Sequence, residues 1–417
     1  MARRTISNRL EQFRKLNTLY KTYLKYIGLW MLDSDSPILL RCLYYIYNKL
    51  VIIIIFLFEI SVLLDIYLNF DDFLVVTDNV CVFVGVFMIF FKMLIFQAHR
   101  EQIARLLHAT IKSCDQLCKL TTGGEYEILN KYLLICRVIS VGFGFILCFF
   151  LAFALLFFVS VEDGALLIRA RYLLNISLYP CHEIEFFMEV YTIYVVLIAI
   201  TGIDSMQLTI GMLSLAQFEI LNKHFESCGR DNVGRRREVS TEVNCDEDNY
   251  ESYEARHRGG FAEWFGRSVR DHQRLRVIID DFNKIYNMCM FVQMLLSITM
   301  ICLTSFQLLL VTGQSSTFKF SLYLIAAAMQ IFFVCWLGNE VMYQSALLTQ
   351  SQWLSGWEDE LSNTKTGRLL ILSMIFSTRT LNIKAGVFYD LNMETFTTVL
   401  KGAYSVFVLL NMYSEDQ

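Results

Sequence analysis

Only two prolines, Pro37 and Pro180, interrupt 417 residues. Proline lacks an amide hydrogen and its ring collides with the preceding turn, so its scarcity permits long unbroken helices. Charge is scarce too, at 18% of residues against 55% hydrophobic, and the mean hydropathy is +0.45. Soluble domains carry about a quarter charged residues, so this composition excludes a soluble chain and indicates a polytopic membrane protein. The alternation of a transmembrane barrel is absent. So are catalytic motifs: His99, His108, His182, His224, His257 and His272 are dispersed, and no HExxH, glycine-rich phosphate loop or GxSxG occurs. Without a constellation of acid, base and nucleophile, neither an enzyme nor a cofactor, metal or nucleic-acid partner is expected. The 12 cysteines form no CxxC pair and no disulfide framework. Arg3, Arg4, Arg9, Arg14 and Lys15 are followed by roughly thirty residues without an apolar run, so the first membrane helix is expected to act as the targeting signal.

What the chain does contain is a series of apolar segments. Residues 1–41 are polar and basic, with an amphipathic pattern through Leu16, Leu19, Tyr20, Tyr23 and Leu24 that suits a membrane surface or a partner helix. Segments one to six run over Cys42–Leu64, Val75–Phe96, Tyr132–Val161, Phe186–Leu215, Tyr286–Val311 and Phe320–Leu337. Each is long enough to cross, which takes about 20 residues (range 17–25). Segment seven, Met393–Met412, lies within KAGVFYDLNMETFTTVLKGAYSVFVLLNMY, with Asn392 placed to cap its first turn and Glu394 near the positive end of its dipole. The polar insert over 226–262 is too hydrophilic to fold, so a disordered cytoplasmic insert within a single domain, 1–417, is expected.

Basic residues orient these segments. Lys and Arg number 8 in residues 1–41, 5 in 97–132, 11 in 222–276 and 4 in 340–391, whereas the loops 64–78, 160–186 and 312–319 hold 0, 2 and 1. By the positive-inside rule the N-terminus is cytoplasmic and, after seven crossings, the C-terminus is extracellular. Upstream of segment five, Val269, Leu275, Ile278, Ile279, Phe282 and Ile285 keep a helical period, so one helix of over about 40 residues projects into the cytosol. Segment four extends similarly through Leu221, and Asn339–Leu354 and Arg368–Phe376 form two further helical patterns. On segment seven, Thr397, Lys401, Tyr404, Val408 and Asn411 form a polar stripe with a cation at mid-depth, which lipid resists at about 2.5–3.5 kcal/mol. Lys401 either lines an aqueous path or snorkels or pairs between helices. For Glu59, Lys92, Arg137, Asp204 and Lys284, pairing or snorkelling is favoured over ion coordination. Asn175-Ile-Ser177 is a glycosylation sequon in an outer loop.

Three stretches carry a resemblance. CWLGNEVMYQS (Cys335–Ser345) leads through Trp357 and RLLILSMIFSTR to the segment-seven block; TDNVCVFVGVFMIFFKMLIFQAHREQIARLL crosses segment two; and DHQRLRVIIDDFNKIYN runs into segment five. In these, and over nearly its whole length, the chain resembles the insect odorant receptor family of inverted seven-helix proteins. The arginine-rich insert departs from that family's short loop, and the chain lacks the greater length of the shared co-receptor subunit.

The resemblance implies an all-α integral membrane protein with seven transmembrane helices, helices 4–7 extended into a cytoplasmic anchor. It implies the odorant-binding subunit of a ligand-gated non-selective cation channel, a heterotetramer with a co-receptor in the plasma membrane of olfactory sensory neurons. The partners implied are small volatile odorants, permeant cations and the lipid bilayer. Helix seven is implied to line the pore, with Lys401 and Tyr404 on its polar face and Phe407, Val408 and Asn411 near the outer gate. Asn411 replaces the family's usual apolar gate residue, so co-receptor subunits are expected to hold the closed state. The odorant site is implied in the outer halves of segments two, three, four and six. There the sequence offers Val80, Phe83 and Val84; Phe150, Ala154 and Phe157; Met188, Tyr191, Tyr194 and Ile198; and Tyr323 with Ala327. Ordinary interhelical packing is the competing reading of these residues. Burying about 200 Å² of apolar ligand at about 25 cal/mol/Å² gives about 5 kcal/mol, a modest affinity. A gustatory receptor of the same superfamily and a G-protein-coupled chemoreceptor are the alternatives. A transporter is disfavoured by the absence of repeats and of mid-membrane helix breaks.

Overall fold

The computed structural model describes residues 2–32, 35–118, 125–143, 181–229, 260–310, 314–360 and 364–415. These residues are almost wholly helical: α1 (Ala2–Tyr26), α2 (Ile38–Leu68), α3 (Phe73–Cys118), α4 (Glu125–Arg137, continued by a π turn to Phe143), α5 (Cys181–Ser227), α6 (Phe261–Leu310), α7 (Gln314–Trp353), α8 (Thr364–Ser377) and α9 (Met393–Glu415). One antiparallel hairpin, β1 (Lys384–Ala385) with β2 (Tyr389–Asp390), joins α8 to α9. Phe150, Ala154 and Phe157, the Asn175 sequon and most of the polar insert lie outside the described residues.

Among the described residues, five helices are long and apolar enough to cross a membrane: Ile38–Leu68, Leu74–Cys118, Ile184–Ser227, Phe261–Leu310 and Ser316–Trp353. The more polar α9 is not among them. α2 turns Leu43, Ile46, Leu50, Ile53 and Phe56 outward while Val51, Ile55, Phe58 and Val62 are buried, the division that one lipid face and one protein face require. α3, α5, α6 and α7 contain 46, 47, 50 and 40 residues. At 1.5 Å per residue they span about 60–75 Å, roughly twice a hydrocarbon layer.

The extension of α5 and α6 follows the period read from the sequence; that of α3 was not anticipated. Ile103, Leu106, Leu107, Thr110, Cys114 and Leu117 carry a buried face to the end of α3. Segment six and the Asn339–Leu354 pattern are also one helix rather than two, because Gly338 is a close-packing point and not a break. The projecting ends share a core of Phe218, Leu221, Phe225, Phe265, Leu275 and Phe282, with Phe225 set edge-on to Phe265 at 5.3 Å.

α1 lies on its own chain, packing Phe13, Leu16, Tyr20 and Leu24 against α5 and α4. The turn after it is held by α2: Tyr44 donates to the Lys25 and Trp30 carbonyls at 2.9 and 2.8 Å, and Asn48 donates to the Gly28 carbonyl at 2.8 Å. Gly28 has φ +78°, and a Cβ there would stand 3.1 Å from the Asn48 Cα, so both conformation and space favour glycine.

Where α3, α5 and α6 meet, Lys92 Nζ donates to both Asp204 oxygens at 2.7 and 3.0 Å, with the lysine side chain 1% exposed. Tyr286 and Cys289 of α6 lie within electrostatic reach. Of the other charged residues flagged in or near membrane segments, Lys284 pairs with Asp281 and Arg137 is exposed. Glu59 is buried with neither oxygen hydrogen-bonded among the described residues.

Two outcomes follow. Lys92→Met, which strands the Asp204 carboxylate, is expected to destabilise the detergent-solubilised protein by about 3–5 kcal/mol, and Lys92→Met with Asp204→Leu by much less. Equal losses in the single and double variants would show that the pair is not coupled. On the projecting end of α6, burial, helped by Arg276, lowers the His272 pKa to about 4. An unfolded histidine titrates near 6.5, so stability present above that pH is lost as pH falls from about 6.5 toward 4. Asp271, raised by burial against the pull of Arg274, acts in the opposite sense. The melting temperature is therefore expected to fall less steeply over that window in His272→Gln than in the wild type; parallel profiles would exclude the imidazole as the source.

Candidate functional site

Val80, Phe83 and Val84 of α3 meet Tyr323 and Ala327 of α7 in one apolar compartment, separate from the main core. α6 adds Met300, Ile301 and Cys302, and α9 adds Leu400 and Ala403. The sequence reading assigned segment five to the anchor and so missed the α6 wall. Its signal was present in the small and flexible residues Ser297, Met300, Ile301 and Thr304, which follow helical spacing and are buried.

The end of this compartment nearest the start of α3 is polar. Lys319 of α7 donates to both Asp78 oxygens at 2.7 and 2.9 Å, and Gln307 of α6 donates to the Leu74 carbonyl at 3.0 Å and to the Thr77 hydroxyl. These contacts tie three helix ends together over the apolar residues.

The α5 candidates lie elsewhere. Tyr191 and Ile198 pack against the main core, Met188 is half-buried, and Tyr194 is 64% exposed. Tyr191 donates to the Tyr47 hydroxyl at 3.3 Å, and Tyr47 donates to the Tyr26 carbonyl at 2.8 Å, so the tyrosine joins α5 to the α1–α2 junction. Phe83 contacts both cores and links the two groups.

α9 starts as its cap requires. The Thr395 amide donates to Asn392 Oδ1 at 2.7 Å, and Glu394 occupies the first turn. Lys401 and Tyr404 are exposed, Phe407 and Val408 are half-buried, and Asn411 is on the same helix. Among the described residues Lys401 forms no ion pair. The Thr397, Thr398 and Ser405 hydroxyls bond to carbonyls of their own helix. Val399 and Ala403 are buried, and the Cys302 thiol donates to the Ala403 carbonyl at 3.2 Å. At about 100° per residue, Ala403 points about 160° away from Lys401, so one helix presents a compartment wall on one side and the cation on the other.

A strap from α8 fixes the base of α9. Asn283 of α6 donates to the Asn382 carbonyl at 2.9 Å and accepts from the Lys384 amide at 3.0 Å. Ser345 of α7 accepts from the Leu381 amide at 3.0 Å, and the Leu391 amide closes on Ile383 at 2.8 Å. Gly386, with φ +66°, turns the hairpin against the Phe291 ring.

A family model described as 7tm Odorant receptor matches residues 72–404. Odorant receptor 85c of Drosophila melanogaster is 24% identical over 149 residues, 36% of this chain and 38% of the relative. Odorant receptor 10 of Aedes albopictus is 26% identical over 142 residues, 34% of this chain and 37% of the relative. The chain thus spans less than two fifths of the length of these relatives. The solved structure of the insect olfactory receptor OR5 from Machilis hrabei superposes with a TM-score of 0.79 at 15% identity, covering 96% of this chain and 98% of that one. The same receptor in complex with eugenol superposes with a TM-score of 0.74 at 14% identity, covering 97% and 99%. The likeness at these identities is one of fold.

The strap yields a test. A Cβ on Gly338 would collide with the Leu391 carbonyl, which directly precedes the α9 cap. Gly338→Ala is expected to destabilise by about 1–3 kcal/mol, seen as a lowered melting temperature. An unchanged melting temperature would show that the strap is not seated on α7.

Proposed function

This chain belongs to the 7tm Odorant receptor family, and from that premise we propose that it is the odorant-tuning subunit of a ligand-gated, non-selective cation channel. It acts with a co-receptor in a heterotetramer and detects small volatile molecules at the plasma membrane of olfactory sensory neurons. The chain crosses the bilayer seven times from a cytoplasmic N-terminus to an extracellular C-terminus, and residues 226–262 form a cytoplasmic insert in a single domain. The volatile binds among Val80, Phe83, Val84, Tyr323 and Ala327, and the exposed stripe of α9 with Lys401 and Tyr404 lines the ion path.

The observation that carries this reading is the two-sidedness of α9. Ala403 packs into the compartment and accepts the Cys302 thiol, while Lys401 projects from the opposite side, where no described residue pairs with the ammonium, and the exposed Tyr404 lies about 60° round the helix from it. A ligand wedged between α3 and α7 presses on the same helix that carries the polar stripe, so occupancy and stripe position are mechanically joined. A cation facing lipid costs several kcal/mol; facing a water-filled path it does not. The projecting ends of α5, α6 and α7 with α8, whose Ile371, Leu372, Ile375 and Phe376 are exposed, provide the apolar area for subunit contact.

Whole-cell current with and without the co-receptor, under a panel of volatiles and with G-protein signalling blocked, tests the reading. Rapid evoked cation current only in co-expressing cells is expected, and Lys401→Gln is expected to alter cation permeability ratios. Silence of surface-expressed protein across several chemical classes would overturn it.

A further inference from the structure

The elbow between α1 and α2 gathers cations at a level where the membrane ends. Trp30 packs on Phe96, the last residue of the apolar run in α3, with ring centres 6.0 Å apart, and Gln97 donates to Asn48 of α2 at 2.5 Å. Directly beyond them α3 turns to His99, Arg100 and Glu101, so the Gly28 turn that Asn48 holds stands at a bilayer boundary. Three cations meet there around Tyr44, whose hydroxyl ties the Lys25 and Trp30 carbonyls. Lys21 lies over the Trp30 ring at 5.4 Å, and Arg100 acts electrostatically on the Tyr44 hydroxyl. Arg41 precedes Tyr44 by one turn on the same face of α2. None of the three is buried. Lys25 and Lys49 flank them, and the nearest described acidic residues in sequence, Asp35 and Glu101, are exposed.

We infer that this elbow binds the phosphate head group of an anionic phospholipid in the leaflet that faces the cytosol. The inference rests on the cytoplasmic N-terminus of the reading above.

Charge favours such a partner. Residues 1–49 hold nine Lys and Arg against three Asp and Glu, in a chain whose formal net charge is -4. The cytoplasmic leaflet carries the anionic lipids, and each Lys or Arg near its surface adds about 1 kcal/mol of attraction. The positive-inside bias accounts for the side on which these cations lie, but it does not gather three of them around one tyrosine at the lipid boundary.

The apolar surface at the same level favours a lipid over a free anion. Every residue of α2 from Ile38 to Leu43 is exposed, Ile38, Leu39, Leu40 and Leu43 among them. Leu39 lies nine residues before Asn48, about 13 Å along the axis, which carries apolar side chains out of the hydrocarbon and into a head-group layer about 5–8 Å thick. Tyr44, Tyr45 and Tyr47 form the aromatic belt of that zone. A phospholipid satisfies both kinds of surface. Its phosphate accepts charge-assisted hydrogen bonds from Lys21, Arg41 and Arg100, while its glycerol backbone and upper acyl chain lie against Ile38, Leu39 and Leu43.

The test reads the melting temperature of the purified full chain in neutral detergent with three probes: a dioctanoyl phosphatidylinositol bisphosphate, dioctanoyl phosphatidylcholine, and the matching inositol trisphosphate as a head group without a tail. The phosphoinositide is expected to raise the melting temperature by about 2–4 °C, an effect that fades as salt is added, and the other two by much less. In Lys21→Gln with Arg41→Gln and Arg100→Gln, the phosphoinositide concentration giving half the shift is expected to rise at least about tenfold. Arg41→Gln alone, at the exposed member of the three, is expected to raise it about fivefold and stands in where the triple variant does not fold. Lys384→Gln, which removes an exposed cation elsewhere, is expected to leave it unchanged. No shift, an equal shift with phosphatidylcholine, a full shift with the soluble inositol phosphate, or equal losses in Lys384→Gln and the elbow variants would each overturn the inference. Labelling of an N-terminal tag from outside intact cells would overturn the cytoplasmic N-terminus and this inference with it. A tag reached only after permeabilisation upholds that topology, so a failed lipid test then counts against the elbow alone.

Discussion

A lysine ammonium almost wholly withdrawn from solvent imposes the strongest single constraint on this bundle. Lys92 reaches Asp204 only if α3 and α5 run side by side at one register, and the neighbouring Tyr286 and Cys289 place α6 at the same level. A buried charge tolerates little slippage, because each lost contact leaves an ion in a medium that solvates it poorly. The three longest helices are therefore locked near the middle of their length. Apolar stripes then carry each of them in both directions, toward the compartment at one end and toward the shared aromatic core of Phe225, Phe265 and Phe282 at the other.

With the long helices fixed, the shorter elements have little freedom. α1 lies in the angle between α5 and α4, and Tyr44 and Asn48 hold its end and the turn after it through the Lys25, Gly28 and Trp30 carbonyls. α9 is positioned at both levels: its base by the strap on Asn283, Ser345 and Gly338, and its middle by the Cys302–Ala403 contact. Its first turn is held by backbone and cap hydrogen bonds, while its middle is held by side-chain packing and one weak thiol bond. Packing of that kind yields more readily than a capped and strapped turn, so α9 is held more firmly at its base than at Ala403.

Much of the helical architecture was legible from periodicity. The buried face of α6 and the Asn392 cap follow from residue spacing, because helical burial repeats every 3.6 residues whatever the partner. The projecting end of α3 was equally legible in Ile103, Leu106, Leu107 and Leu117; a hydropathy boundary at Phe96 concealed it, since charged residues on the outer face lower the average without breaking the helix. The candidate site was legible only in part. Periodicity places Tyr191 and Tyr323 alike on helix faces, but it holds no information on which face meets which, and Tyr191 turns to Tyr47 while Tyr323 turns to Cys81 and Ala327.

By itself the sequence determined that this is a membrane-embedded helical protein, where its last helix starts and which stripe of α6 is buried. Those properties depend on local spacing and on the poor solvation of polar backbone in lipid. The tertiary structure alone decided that Lys92 pairs with Asp204, that Asp78 pairs with Lys319, that α6 walls the compartment and that Ala403 faces it while Lys401 faces away. Each of these joins residues more than a hundred positions apart, or depends on the rotation of a whole helix about its axis. The free energies that set them arise only once the helices are side by side.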